Sequence, residues 1–132
     1  MDSRQKGKRG ELELAHWLEA HGINARRGQQ TSGSTGVADV VGLDGIHIEC
    51  KRVQGLNVAR AMEQSRRDSY ADSIRAGHEM LPTVWHRENR RPWMVTISAG
   101  DLALISGWSA DELVTLTAED FISIYLRRYG TP

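Results

Sequence analysis

The stretch GVADVVGLDGIHIECKR, residues 36–52, decides the fold because it reads as two β-strands joined by a tight turn. Valine, isoleucine and leucine dominate both runs, and the Asp-Gly pair at 44–45 is a strong hairpin signal. Charged side chains interrupt this apolar pattern: Asp39 lies within the first run, and Glu49 and Lys51 lie at the end of the second. Because ionised groups are costly to bury without a partner, these three residues require a specific explanation.

The alternation of side chains along a strand brings these charges together. Glu49 and Lys51 emerge on one face with Cys50 on the other, and Asp39 on the neighbouring strand can converge with them. A divalent cation held by carboxylate oxygens, with the Cys50 carbonyl completing its shell, suits phosphodiester hydrolysis because it activates water and neutralises charge. A lysine beside it can orient the water or stabilise the transition state. The alternative is an ion-pair network at the end of a sheet.

The composition is that of an ordinary globular chain, with 132 residues, 39% hydrophobic and 26% charged. We expect one domain over residues 1–132, large enough to form its own core. The apolar runs are too short to span a bilayer and the first ten residues are polar and basic, which predicts a cytoplasmic protein with no membrane partner. Cys50 is the single cysteine, so no disulfide framework or thiolate zinc site is expected.

Positive and negative charges balance over the whole chain but separate along it. The net charge is +0, whereas residues 1–91 carry +3 and residues 92–132 carry −3. The basic residues cluster at 4–9, 26–27, 51–67 and 87–91. This asymmetry favours an anionic partner on one side of the molecule, although solvated basic surfaces are common.

A first helix is predicted from about Lys8 to His21. Its apolar stripe recurs at helical spacing through Leu14, Trp17, Leu18 and His21. Glu11 shares that stripe, where a carboxylate is unusual. It either favours the helix dipole from the first turn or has a role in a functional site.

The remaining elements follow in an order typical of a mixed sheet. Residues 23–36 read as a short edge strand followed by a loop, and residues 56–76 as a helix. One side of that helix is apolar through Val58, Ala59 and Met62; the other is basic with one amide, through Arg60, Gln64, Arg67 and Arg75. Two strands with a basic turn at 87–91 come next, and capping patterns predict short helices from Ser109 and Thr117. The order predicts an α/β or α+β domain.

The charged residues of the hairpin resemble a known motif. Asp39-x9-Glu49-x-Lys51 is similar to the PD-(D/E)XK nuclease motif, with Ala38 in place of the nominal proline. The segment KGKRGELELAHWLEAHGINARR resembles the opening of Holliday junction resolvase-type nucleases, in which the first helix carries an acidic residue of the active site; Glu11 matches it. The segments ARRGQQTSG and AMEQ resemble the next loop and helix, and PTVWHRENRRPWMVTI resembles later strands of small phage and prophage members.

The resemblance covers about residues 6–98 and implies a restriction-endonuclease-like mixed β-sheet flanked by helices. It implies Mg²⁺ as the cofactor, with Mn²⁺ as a substitute, in the cytosol of a bacterium or a phage-infected host. Asp39 and Glu49 would hold the metal ion, and Glu11 and the Cys50 carbonyl would complete its shell. Lys51 would position the attacking water, and Gln64 would support the lysine or the phosphate.

The predicted substrate is DNA, and branched DNA such as a four-way junction in particular. Phosphate contacts account for much of the affinity of DNA-binding proteins, so basic and polar residues near the motif are candidates. These nucleic-acid-binding candidates are Lys6, Lys8, Arg9, Arg26, Arg27, Gln30, Thr31, Ser32, Arg52, Arg60 and Arg67. Because junction resolution needs two symmetric nicks, we expect a homodimer. The predicted interface residues are Trp85, Trp93 and Trp108, and the face of Arg60, Arg67 and Arg75 is expected on one basic surface.

Two other functions are compatible with these residues. A nickase, a flap or replication nuclease, or a restriction-like enzyme would keep the chemistry and change the DNA substrate. A non-catalytic DNA-binding subunit would keep the scaffold alone. Intact Asp39, Glu49 and Lys51 argue against that last alternative.

Overall fold

The protein is described by a computed structural model that covers residues 3–28, 37–106 and 113–131. Within these residues the chain forms ten elements. In order they are α1 (Ser3–Ala20), β1 (Arg26–Arg27), β2 (Val40–Val41), β3 (Ile46–Lys51), α2 (Val58–Ala76), β4 (Leu81–His86), β5 (Met94–Ser98), α3 (Ala99–Ser106), β6 (Leu113–Thr117) and α4 (Ala118–Tyr129). The strands form one sheet in the order β1-β2-β3-β4-β5-β6.

The sheet is mixed because one connection crosses over and the others reverse direction. Strands β3 and β4 are parallel and are joined through α2, whereas the other neighbouring strands are antiparallel. Val40 pairs with Ile48 across the hairpin, and the turn contains Gly45 at φ 79°, a conformation that favours glycine. The predicted hairpin and the predicted α+β fold with a mixed sheet are both confirmed.

One face of the sheet, which we call the apolar face, is covered by α1, α3 and α4. Leu14 and Leu18 of α1 and Phe121 of α4 pack there around Trp85 of β4. The Trp85 and Phe121 rings meet edge to face, with centroids 5.2 Å apart, a favoured aromatic geometry. Burial of these large side chains is the main source of stability in the fold.

This core corrects the predicted dimer interface. Trp85 is 0% exposed and Trp93 is 2% exposed within a single chain, so neither offers surface to a second subunit. Both tryptophans belong to the close-packed core cluster of the single chain. Trp108 lies outside the described residues.

The other face of the sheet, which we call the polar face, is covered by α2. Helix α2 follows the capping residue Asn57 and ends at Gly77, whose φ is 79°. Beyond the small apolar group of Ala61, Met62 and Val84, the buried residues of α2 are polar: Ser65, Ser69 and Asp72. The predicted apolar side of α2 is therefore wrong in part, because Ala59 is exposed and the polar side chains face the sheet.

The start of α1 and the segment before α4 differ from the sequence predictions. Helix α1 begins at Ser3, a full turn before Lys8. The capping pattern at Ser109 lies outside the described residues, and Leu113–Thr117 form β6 rather than a helix because they pair along β5. The second capping pattern is confirmed, since the Thr117 hydroxyl accepts from the Asp120 amide at the start of α4. No helix of the described segments has the length and apolar character needed to cross a bilayer.

Candidate active site

A cleft of about 300 Å³ lies where α1, the hairpin and α2 meet. It is lined by all five residues predicted to be catalytic: Glu11, Asp39, Glu49, Lys51 and Gln64. The Cys50 backbone and the basic residues Lys6 and Arg52 also border it. Residues separated by more than fifty positions in the chain thus share one cavity.

Close contact between α1 and the end of β3 brings Glu11 to this cleft. Gly10 is buried, and a Cβ atom built on it would lie 2.6 Å from the Arg52 Cβ atom. Glycine is therefore required at this position for α1 to approach β3. The approach explains why Glu11, on the buried side of its helix, faces the hairpin carboxylates.

Each of the three carboxylates has one oxygen held by a donor from the protein. Arg27 Nε donates to Glu11 Oε1 at 2.9 Å. The Cys50 backbone amide donates to Asp39 Oδ2 at 2.8 Å. Glu49 Oε1 lies 3.0 Å from His47 Nε2. These bonds fix the orientation of the carboxylates and keep part of their lone-pair capacity for another ligand.

The charge of the cleft is unfavourable without a cation. Burial, opposed by the bond from Arg27, raises the pKa of Glu11, and the negative charge of Asp39 raises it further. Burial also raises the pKa of Glu49 to about 7, and there too Asp39 adds to the shift while His47 opposes it. Glu11 and Glu49, whose ionisation Asp39 disfavours, form with Asp39 the set of hard oxygen donors that Mg²⁺ prefers. The residues present therefore fit a divalent cation.

Lys51 of β3 is hydrogen-bonded to the amide side chain of Gln64 on α2. Lys51 Nζ donates to Gln64 Oε1 at 3.2 Å, which holds the ammonium group at the cleft. The neighbouring Cys50 thiol has its pKa raised well above the usual range, by burial first and then by the nearby carboxylates, so it is a neutral group. A neutral thiol is a poor nucleophile, so no nucleophilic role is assigned to Cys50.

The predicted DNA contacts fall into three groups. Lys6, Lys8, Arg9, Arg26, Arg60 and Arg67 are exposed. Two others are engaged within the protein: Arg27 binds Glu11, and Arg52 donates to Glu13 and to Asn89. Gln30, Thr31 and Ser32 lie outside the described residues. Arg75, expected on the same basic surface, donates to the Asp72 carboxylate.

His47, Asp68 and Asp72 lie near the cleft and were not identified as site residues from the sequence. His47, Glu49 and Asp68 offer ligand atoms within 4.8 Å of one another, which fits a divalent metal ion, and Asp68 also forms a hydrogen bond with Glu49. Behind them, His47 Nδ1 lies 2.8 Å from Asp72 Oδ2. Burial alone would lower the pKa of His47, but its bonds to Glu49 and Asp72 outweigh burial and raise it.

A sequence signal for these residues does exist. His47 precedes Glu49 by two positions, and the strand period of two places both on the same face. Ser65, Ser69 and Asp72 recur at helical spacing on α2, which is the pattern of one stripe. Because a polar helix face ordinarily faces solvent, this spacing alone does not indicate that the three residues are buried.

Comparison with known proteins gives a structural relationship without a matching sequence. No protein-family model matches the chain, and no curated protein sequence matches it. Among solved structures, the chain is similar to Hjc, a Holliday junction resolvase from the archaeal hyperthermophile Archaeoglobus fulgidus. The TM-score is 0.51 at 18% sequence identity, and the match covers 89% of each chain. At this identity the similarity shows a shared fold alone, and the archaeal relative gives no support to the phage type expected from the sequence.

Proposed function

We propose that this protein is a divalent-metal-dependent DNA endonuclease of the PD-(D/E)XK type that acts on branched DNA in the manner of a Holliday junction resolvase. The observation that carries the proposal is the single cleft shared by Glu11, Asp39, Glu49, Lys51 and Gln64. The fold shared with the archaeal resolvase supports it, and we extend that protein's activity to this chain as part of the proposal.

In this proposal Asp39 and Glu49 hold Mg²⁺, with Glu11 and the Cys50 carbonyl completing the ligand set. When bound, the cation supplies charge neutralisation at the phosphate and an activated water. The Cys50 amide and His47 orient the two carboxylates through one oxygen each. The removal of a ligand carboxylate should abolish cleavage.

Lys51 has a separate role because an ammonium group is not a metal ligand. Its bond to Gln64 holds Nζ at the cleft, where it can orient the water or stabilise negative charge that develops on the phosphate. The Lys51→Ala variant should therefore lose rate while its metal affinity changes little. Gln64→Ala should show a weaker form of the same defect, since the lysine would remain but would lose its support.

The DNA surface in this proposal extends from the cleft along α1. Lys6, Arg9 and Arg52 border a second groove beside the cleft, and the exposed charges of α1 can neutralise phosphates. Within that groove Glu13 accepts from Arg52 and from Arg87, which fixes both guanidinium groups. Paired nicking of a junction requires a second copy of the chain, so a homodimer is part of the proposal, with contacts other than Trp85 and Trp93.

The proposal is tested with labelled DNA of different shapes. A four-way junction, a linear duplex, a 5′ flap and a single strand are incubated with the protein in Mg²⁺, in Mn²⁺ and in EDTA. We expect cleavage in both metals, none in EDTA, and a preference for the junction. Equal cleavage of every duplex would favour the nickase or restriction-like alternative, and cleavage of the junction by a monomer, measured by light scattering, would contradict the homodimer.

A further inference from the structure

A chain of polar groups, buried from Glu49 to Asp72, extends from the candidate cleft through the protein to the exposed Arg75. It runs from Glu49 through His47 and Asp72 to Arg75. His47 is fully buried, and its two ring nitrogens contact two different carboxylates, at 3.0 Å on Glu49 and 2.8 Å on Asp72. The chain thus joins β3 to α2 by side chains alone.

Stability does not explain this chain. A buried ion pair loses hydration on both partners, and replacement by apolar residues of similar volume is often neutral or stabilising. The apolar face of the same sheet shows how this fold is stabilised elsewhere, by Trp85, Phe121 and their neighbours. The role of the polar chain must therefore lie in its effect on Glu49, the residue at its cleft end.

Only one member of the chain reaches the cleft. Glu49 lines it, whereas His47 and Asp72 do not, although all three are buried. His47 therefore lies behind the carboxylate as seen from the cleft, although one of its ring nitrogens is within 4.8 Å of ligand atoms of Glu49 and Asp68. Ligand carboxylates and imidazoles are often oriented in this way by hydrogen bonds from residues beyond the metal.

We propose that His47, oriented by Asp72, is a positioning residue that fixes Glu49 for divalent metal binding. The inference rests on the proposed function, because it requires Glu49 to be a ligand. His47 Nε2 holds Glu49 Oε1, and Asp72 holds the opposite side of the ring, so the imidazole cannot rotate. Arg75 in turn donates to the second oxygen of Asp72. Without His47, Glu49 is free to rotate toward Asp68, with which it already forms a hydrogen bond.

The test is Mn²⁺ binding by the full chain without DNA, followed by electron paramagnetic resonance. His47→Asn keeps a polar group near the Nδ1 position and leaves Glu49 without its donor; His47→Gln keeps one near the Nε2 position. We expect His47→Asn to weaken Mn²⁺ binding by about 10–100-fold, with a smaller loss in His47→Gln. Ser65→Ala is the matched control, because it removes a buried bond from α2 to the Thr83 carbonyl without contacting Glu49.

The melting temperature of each metal-free variant separates positioning from packing. A lowered melting temperature with Mn²⁺ affinity within about twofold of wild type in His47→Asn would overturn the inference. If His47→Asn does not fold, His47→Gln and Asp72→Asn decide, and unchanged affinity in both would overturn it equally. A directly coordinated nitrogen in the spin-echo spectrum of the wild-type Mn²⁺ complex would make His47 a ligand and would also overturn it.

The inference and the proposed function fail in different ways. If Glu49→Ala abolishes Mn²⁺ binding and the His47 variants do not change it, the metal site stands and the positioning role falls. If Asp39→Ala and Glu49→Ala both bind Mn²⁺ as wild type does, the metal site itself falls, and the positioning role falls with it.

Discussion

The apolar face of the sheet buries Trp85 against Phe121, whereas the polar face buries Glu49 against His47. The two faces belong to the same strands and alternate residue by residue along them. On the apolar face every large buried side chain contributes to stability. On the polar face the buried groups are costly unless each finds a partner. This small fold therefore draws its stability mainly from one face and places its proposed chemistry on the other.

The largest expected effect on stability lies on the apolar face. Phe121→Ala removes an aromatic ring that packs on Trp85, and we expect a loss of about 3–5 kcal/mol in the free energy of unfolding. Urea denaturation measures it. A loss below about 1 kcal/mol would mean that the apolar face is not where the stability resides.

Glu11 gives the sharpest contrast between chemistry and stability. Glu11→Gln relieves a carboxylate whose pKa is raised by burial and by Asp39, so stability should stay equal or increase. Cleavage should fall at least about a hundredfold, the scale of a lost transition-state electrostatic contact. A thermal melt and a single-turnover assay measure both, with Glu19→Gln on the exposed side of the same helix as the control. Normal cleavage by Glu11→Gln would return this residue to a helix-dipole role.

The close approach of α1 to the end of β3 depends on Gly10. The Gly10→Ala methyl group would lie 2.6 Å from the Arg52 Cβ atom, so α1 must shift away from β3, and we expect a loss of about 1–3 kcal/mol with reduced cleavage. Gly7→Ala is the control on the same helix, since a Cβ at that position meets nothing within 4 Å. That control should be stabilised by about 0.5–1 kcal/mol. Equal behaviour of the two variants would contradict the close approach of α1.

The polar face should also make the stability of the fold depend on pH. The pKa of Glu49 is raised from 4.5 to about 7, first by burial, so its ionisation destabilises the fold as pH rises through that range. In EDTA, Glu49→Gln should therefore be more stable than wild type, and by more at pH 8 than at pH 5. Urea denaturation at the two pH values measures it. A larger gain at pH 5 would reverse the sign and contradict the assignment.

Local sequence pattern was sufficient to predict the hairpin and to single out the charged residues within it. The hairpin follows from strand period and turn residues, and Asp39, Glu49 and Lys51 stand out as charges within it. The strand β6 was missed because a local capping pattern precedes residues whose pairing with β5 is non-local. Asp68 and Asp72 were missed because a buried polar stripe on a helix has the same spacing as an exposed one. Burial of polar groups is decided by the partner strand, which the helix sequence does not contain.

The central claim is that the polar face holds a catalytic metal site, and Asp39→Asn tests it most directly. The amide keeps an oxygen that can accept from the Cys50 amide, so the hairpin should remain intact while a ligand charge is removed. Asp44→Asn at the exposed turn of the same hairpin is the matched control. We predict that in Mg²⁺ the wild type and Asp44→Asn cleave a labelled four-way junction, while Asp39→Asn binds the junction and leaves it intact. Cleavage by Asp39→Asn at the wild-type rate would contradict the account.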